Sequence, residues 1–153
     1  MKRKPWQTAM MVVTAVVVVL VALHILGGGT APVPAPFAGT ATVEEAIEAS
    51  RASGRPALVF ATADWCGPCQ TFKRGALADA RVGAWIEENA HAALADLTNA
   101  NDPRARELAE RLRIAGVPAL VMLREGREVA RVEGVVGADE LLRWLERAAT
   151  TGG

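Results

Sequence analysis

The sequence predicts an α/β fold, with a mixed sheet of about four strands between helical layers, preceded by one N-terminal transmembrane helix. Helix and strand patterns alternate along most of the chain, and several of the predicted strands are almost continuously apolar. Such strands are buried on both faces, so helices must cover both sides of a mainly parallel sheet with one antiparallel edge. The length of 153 residues allows one ordinary domain once the apolar N-terminal stretch is set apart.

The composition excludes several classes of protein. The 17 Lys and Arg residues balance 17 Asp and Glu residues, whereas nucleic-acid-binding proteins usually carry a basic surplus. The two cysteines are too few for the disulfide framework of a small secreted protein or for most ligands of a structural zinc site. We therefore expect no nucleic-acid partner and no metal, and we expect the two cysteines to act together.

The N-terminal segment predicts a membrane anchor. Residues 8–26 are almost all apolar, close to the length of about 20 residues that a helix needs to cross a bilayer. Basic residues at 2–4 precede this run and the next basic residue is Arg51, which predicts a cytoplasmic segment at 1–7 and an extracytoplasmic, periplasmic location for the rest. The alternative is a cleaved signal peptide that releases a soluble periplasmic domain, but the run is longer than a typical signal core.

Residues 27–40 predict a linker. Three consecutive glycines are followed by three prolines that alternate with small residues. A segment with so little apolar bulk is typical of a flexible joint followed by a stiffer extended spacer. We expect the folded domain to occupy 41–149, followed by a short tail at 150–153.

The first half of this domain predicts a helix, a strand and two further helices. Thr42 and Glu45 have the spacing of a capping box, and the apolar stripe after them ends at Gly54. The apolar run at 57–62 has the length and composition of a strand buried on both faces. The helical patterns after Cys66 and from Asp79 onward are each placed to connect strands.

The second half predicts a strand, a helix and then two more strands. A second buried strand is expected at 92–97, and Asp102 is placed to cap a helix that has Pro103 at its first position. A third buried strand is expected at 119–123.

A turn at Glu125-Gly126 leads into the last predicted strand, at 127–133. There Val129 alternates with charged neighbours, as in a strand at the edge of a sheet. The final helix is expected at 138–149, with leucines on its buried face.

The strongest functional signal is the run Trp65-Cys66-Gly67-Pro68-Cys69, which directly follows the first buried strand. A cysteine at the beginning of a helix meets free backbone amides and the positive end of the helix dipole, which stabilise its thiolate and lower its pKa. Cys66 is therefore the candidate nucleophile. Cys69 lies on the same side of the first turn and is expected to be more buried, which makes it the candidate resolving thiol.

Two such thiols predict dithiol/disulfide exchange with a substrate disulfide. Gly67 and Pro68 add no charge that would stabilise the thiolate further, which favours a reductant, although an oxidant or an isomerase stays open. The alternatives from other classes are a permanent two-cysteine staple, half of a zinc site, and a non-catalytic binding module or thiol-based metal carrier.

A second feature of the predicted site is Gly116-Val117-Pro118, just before the third strand. Pro118 is a candidate for a cis peptide bond, with an ordinary trans bond as an equal alternative. The backbone of Val117 could pair with an extended segment of a partner protein. Trp65 adjoins the nucleophile and is a candidate for the docking surface. The predicted substrate-binding residues are therefore Trp65, Gly67, Pro68, Val117 and Pro118.

The site sequence at 65–69, the Gly116-Val117-Pro118 loop and the order of elements over 57–149 resemble thioredoxin-fold oxidoreductases. Within that superfamily, three segments are most similar to the C-terminal periplasmic domain of the DsbD disulfide reductases. They are Ala63-Asp64-Trp65-Cys66, the stretch from Leu97 to Asp102, and Gly116-Val117-Pro118. The first and the last are widespread in the superfamily, whereas the middle segment is more particular to DsbD.

The resemblance implies a thioredoxin-like fold for 41–149 and a cis peptide at Pro118. It also implies nucleophilic and resolving roles for Cys66 and Cys69, with no cofactor beyond the redox-active disulfide that they form. The implied partners are disulfide-containing protein clients.

The chain departs from the DsbD pattern in its charged residues. Phe60 stands where the family has a buried acid before the first cysteine, and Lys73 stands where DsbD has a second acid. Asp64 or water is then the candidate proton relay for Cys69. The multi-helix domain that supplies electrons to the DsbD domain has no counterpart among these residues, so we expect a separate membrane or periplasmic electron donor.

Overall fold

The computed structural model describes residues 5–26, 29–39 and 41–150, and the chain divides into two compact units with the boundary between Thr30 and Ala31. The first unit contains helix α1, Pro5–Leu26. Within the described ranges, no helix reaches both the length and the mean hydropathy needed to span a membrane. The predicted anchor at 8–26 therefore stays a prediction. Residues 1–4 of the predicted cytoplasmic segment, two linker glycines, Thr40 and the tail from 151 onward lie outside the described residues.

The second unit is a four-stranded sheet with helices on both faces. Its strands, in the spatial order β2-β1-β3-β4, are β1 (Ala57–Thr62), β2 (His91–Asp96), β3 (Ala119–Arg124) and β4 (Arg127–Glu133). Its helices are α2 (Val43–Ser53), α3 (Gly67–Arg74), α4 (Ala80–Asn89), α5 (Pro103–Arg111) and α6 (Ala138–Thr150), with short 3-10 turns at Ala35–Phe37 and Ala76–Ala78.

The strand directions correct one prediction. The predicted mixed sheet of four strands is confirmed, with β1 parallel to β2, but the antiparallel strand is the inner strand β3, which pairs with β1 and β4, and not a strand at the edge. The alternation of helices and strands does not determine this direction. Helix α5 and the loop after it bring the chain back to the end of the sheet at which β1 finishes. β3 therefore starts beside the last residues of β1 and runs in the opposite direction.

The local signals in the sequence form the structures expected of them. Thr42 accepts a hydrogen bond from the Glu45 amide, and the Glu45 carboxylate accepts one from the Thr42 amide, which completes the capping box at the start of α2. Gly54 ends that helix with a φ of 77°, a conformation that favours glycine. The Asp102 side chain caps α5 at the amide of Arg104.

The alternating side chains of β1 build a core on each face of the sheet. Leu58 and Phe60 are buried in a cluster with residues of α3, α4 and α6. Val59 and Ala61 are buried in a second cluster with residues of α2 and α5. The prediction that helices cover both sides of the first strand is therefore confirmed.

The described part of the predicted linker packs against the domain. We call residues 31–37 the N-terminal strap. Phe37 of the strap is 2% exposed, and its ring centroid lies 5.4 Å from that of Phe60. The Ala31 amide donates a 2.6 Å hydrogen bond to Oε1 of the buried Gln70 on α3.

The compact domain unit consequently begins at Ala31, rather than near Thr40 as the prediction of a linker at 27–40 has it. The physical reason is Phe37, because one large aromatic ring is enough to hold an otherwise small and proline-rich segment on an apolar surface.

Replacing Phe37 tests whether the strap contributes to the core. The Phe37→Ala substitution is expected to lower the free energy of unfolding by about 3 kcal/mol, since it removes a buried ring and leaves a cavity beside Phe60. Chemical denaturation of the full chain measures this change. The control is Ala35→Ser at an exposed strap position, where a change within about 0.5 kcal/mol is expected. A loss no larger than that of the control would contradict the packing of the strap.

Candidate active site

Two strand ends bring the candidate residues together. Cys66 is the N-cap of α3, shortly after the end of β1. Ala61 of β1 pairs with Ala119 of β3, so the residues before Ala119 lie beside the turn that carries Cys66. The Val117–Pro118 peptide bond is cis, which is the isomer that the resemblance implies.

Cys66 and Cys69 form a disulfide across the first turn of α3, with their Cα atoms 5.2 Å apart. Cys66 is 4% exposed and Cys69 is fully buried, so Cys66 is the more accessible of the two sulfurs, as expected. In this oxidised state even Cys66 is more enclosed than the prediction of a reachable nucleophile suggests. The residues around it, Trp65, Gly67 and Pro68, are exposed.

The surroundings of the Cys66 sulfur favour a thiolate after reduction. The Cys69 amide donates a 3.1 Å hydrogen bond to Cys66 Sγ, and the helix dipole of α3 adds partial positive charge at the same end. The Val117 carbonyl oxygen lies 3.5 Å from Cys66 Sγ. Because the sulfur is in a disulfide, this contact is a close approach of the Val117 backbone rather than a hydrogen bond.

Thr98 holds the loop before Cys66, a role that was not predicted from the sequence. The Trp65 indole nitrogen donates a 3.0 Å hydrogen bond to the Thr98 carbonyl, and the Asp64 amide donates one of 3.0 Å to the Thr98 hydroxyl. That hydroxyl donates in turn to the Asp96 carboxylate. Trp65 is therefore oriented by the loop after β2 although it is 67% exposed. The sequence feature that could have indicated this role is the position of Thr98, just after β2, which runs parallel to β1.

Gln70 joins the N-terminal strap to the same loop. Its amide nitrogen donates to the Asp64 carbonyl at 3.1 Å, while its oxygen accepts the hydrogen bond from Ala31. Gln70 is 7% exposed, so both ends of this buried amide are satisfied by backbone groups. The sequence offered no signal for this role, because the partner amide lies 39 residues away along the chain.

The charged residues near the site differ from the DsbD pattern in the way the sequence predicts. Phe60 is buried in the apolar core, so no acid lies at that position. Lys73 is 4% exposed, and its Nζ lies 3.9 Å from Oδ1 of Asp64. Asp64, the candidate proton relay, therefore faces a buried cation while much of its side chain stays in solvent.

The predicted residues thus converge on one surface. Cys66 and Cys69 share a small buried cluster with Ala63, and Val117 packs against it. Pro118 is buried at the start of β3. In the part of the chain that the structure describes, no group of three or more His, Cys, Asp or Glu residues is placed to hold a metal ion.

Comparison with known proteins identifies the family. The family model of the thioredoxin-like domain matches residues 43–149. The thiol:disulfide interchange protein DsbD of Ralstonia nicotianae is 35% identical over 111 residues, which cover 71% of this chain. The same alignment covers 18% of that protein, so the chain spans less than a fifth of the length of this relative.

Two solved structures share the fold. A thioredoxin from Thermus thermophilus matches with a TM-score of 0.64 and 29% identity, over 73% of this chain and 87% of that one. The C-terminal domain of DsbD from Neisseria meningitidis, in its reduced form, matches with a TM-score of 0.62 and 26% identity, over 73% of this chain and 98% of that one. Since the family match runs from the first residue of α2 almost to the end of α6 and includes both cysteines, the chain belongs to the family of thioredoxin-like domains.

Proposed function

We propose that this protein is a thiol:disulfide oxidoreductase that reduces disulfides of protein clients outside the cytoplasm, tethered to the membrane by residues 8–26. The observation that carries the proposal is the position of Cys66 at the N-cap of α3. Its sulfur there accepts a backbone hydrogen bond and is already joined to the buried Cys69. Family membership supports thiol:disulfide exchange as the reaction.

The reaction starts from the dithiol form of the protein. The Cys66 thiolate attacks one sulfur of the client disulfide, forms a mixed disulfide and displaces the other client sulfur as a thiolate. Cys69 then loses its proton and attacks Cys66 Sγ, which closes the disulfide found here and releases the second client sulfur. Two electrons pass from the protein to the client, and both client thiolates take up protons.

The protein returns to the dithiol form only if another reductant supplies two electrons. We propose a separate membrane or periplasmic dithiol as this donor. Asp64 is the candidate acceptor for the proton of Cys69, because Phe60 leaves no acid at the position used by DsbD. Water is the alternative acceptor. A proton taken up by Asp64 can pass to solvent, because the side chain of Asp64 is 57% exposed.

Client recognition is proposed to use the exposed rim of Cys66. Trp65, Gly67 and Pro68 provide an uncharged surface on one side, and Val117 lies on the other. An extended client segment could pair with the Val117 backbone and so add main-chain hydrogen bonds to the sulfur contact. Such contacts are independent of client sequence, which suits an enzyme that acts on several proteins.

The direction and the location of the reaction rest on the sequence. Gly67 and Pro68 add no charge to stabilise the thiolate, which favours a reductant over an oxidant or an isomerase. The apolar run at 8–26 with basic residues before it supports a single-pass anchor with the domain outside the cytoplasm.

Insulin reduction tests the proposed reaction. The full chain is expected to catalyse reduction of the insulin disulfides by dithiothreitol, measured as turbidity from the precipitating insulin chains. The Cys66→Ser variant is expected to fall to the uncatalysed rate, because the attacking sulfur is lost. An inert wild-type chain that binds copper tightly through both thiols would instead favour the metal-carrier alternative.

Removal of the resolving thiol tests the order of the two steps. The Cys69→Ser variant is expected to accumulate mixed disulfides with clients in its native membrane, because nothing displaces the client from Cys66. Non-reducing electrophoresis followed by mass spectrometry measures these adducts. A Cys66→Ser/Cys69→Ser chain is the control and should carry none. Equal adduct levels in the two variants would contradict the assigned roles.

A further inference from the structure

A buried cation lies beside the active-site turn and has no part in the exchange reaction described above. Lys73 is 4% exposed, although lysine is among the residues least often buried. It follows Cys69 by four residues on α3, so the two side chains lie on the same buried face of the helix. Helical side chains lean toward the N-terminus, which directs the lysine stem back toward the turn that carries both cysteines.

The partner of this cation is the carboxylate of Asp64. Nζ of Lys73 lies 3.9 Å from Oδ1 of Asp64, and Asp64 precedes Cys66 by two residues. The pair therefore places one negative and one positive charge near the turn that carries Cys66. Asp64 is the acidic residue closest in sequence to the cysteine pair. Position 60, where DsbD has an acid, holds Phe60 in the apolar core.

Two other charged side chains line the groove beside Lys73, and each is either paired with another residue or exposed to solvent. The groove beside it is lined on one side by prolines of the N-terminal strap, and on the other by residues that include Asp79 and Glu87. Asp79 is bound to Arg81, whose side-chain hydrogen bonds lower the pKa of Asp79 to about 2. Glu87 is exposed. The strap adds no charge of its own.

We propose that Lys73 is a positioning residue whose cation cancels the charge of Asp64 beside Cys66 and thereby keeps the nucleophilic thiol acidic enough to react. A lone carboxylate near a thiol disfavours the thiolate, and a cation favours it. Both effects are larger where a charge is shielded from water, as at the buried Lys73, and smaller at the largely exposed carboxylate of Asp64. The inference deepens the proposed function and rests on the assignment of Cys66 as nucleophile.

The direction of the effect follows from this charge balance. Loss of Lys73 leaves Asp64 uncompensated, so the pKa of the reduced Cys66 thiol should rise. Loss of the Asp64 charge leaves Lys73 uncompensated, so the pKa of the same thiol should fall. Loss of both charges should return it close to the wild-type value. A purely structural role for Lys73 predicts no such opposition.

The test is a thiol titration of the full chain in a Cys69→Ser background, where Cys66 is the one remaining cysteine. The rate of alkylation by iodoacetamide is measured as a function of pH. With Lys73→Met the midpoint is expected to rise by about half to one pH unit, and with Asp64→Asn it is expected to fall by a similar amount. Lys73→Arg keeps the charge and should stay near the wild-type midpoint.

Two further variants complete the cycle. Lys73→Met/Asp64→Asn should lie between the single variants, and Glu87→Gln, which removes an exposed charge from the same groove, should leave the midpoint unchanged. Thermal unfolding confirms that each variant is folded. If Lys73→Met fails to fold, Lys73→Gln replaces it as a second variant that lacks the charge, with the same expected rise of the midpoint.

Unchanged midpoints for Lys73→Met and Asp64→Asn, or shifts in the same direction, would overturn the proposal. The alkylation assay needs neither a client nor an electron donor. Failure of the charge balance is therefore distinguishable from failure of the proposed reductase function, which insulin reduction measures.

Discussion

The antiparallel pairing of β1 with β3 is the constraint on which the site depends. The end of β1 leads to Cys66, and the start of β3 follows Pro118, so this pairing brings two segments together that are about 50 residues apart in sequence. If β3 were parallel to β1, Val117 would lie at the opposite end of the strands, beside the start of β1. The carbonyl contact with the sulfur, the rim of the site and any backbone pairing with a client would then be lost together.

A second set of hydrogen bonds holds the loop before Cys66 from both sides. Thr98 holds it from the loop after β2, and Gln70 holds it from within α3. Gln70 also accepts the amide of Ala31, so the strap belongs to the structural support of the active site. Buried amides with both ends satisfied fix local geometry more strongly than exposed ones, because water cannot replace their partners.

Much of the domain could be predicted because its local signals agree with its tertiary structure. The predicted bounds of β1 and β4 match the observed strands. The continuous apolar character of β1 corresponds to its complete burial, whereas the alternating sequence of β4 belongs to a strand whose inner residues are all partly buried. The cysteine pair was likewise evident from its place between a strand and a helix. The direction of β3, the docking of the strap and the roles of Thr98 and Gln70 were not evident. Each depends on contacts between residues far apart in the chain, for which a single sequence carries no periodic signal.

The near-burial of Cys66 limits the shape of whatever reacts with it. A sulfur that is 4% exposed, recessed among exposed neighbours, can be approached along few directions. The oxidised form reacts with a thiolate, which must reach Cys66 Sγ in line with the Cys66–Cys69 bond. A thiol at the tip of a protruding segment can enter such a recess, whereas one inside a folded core cannot.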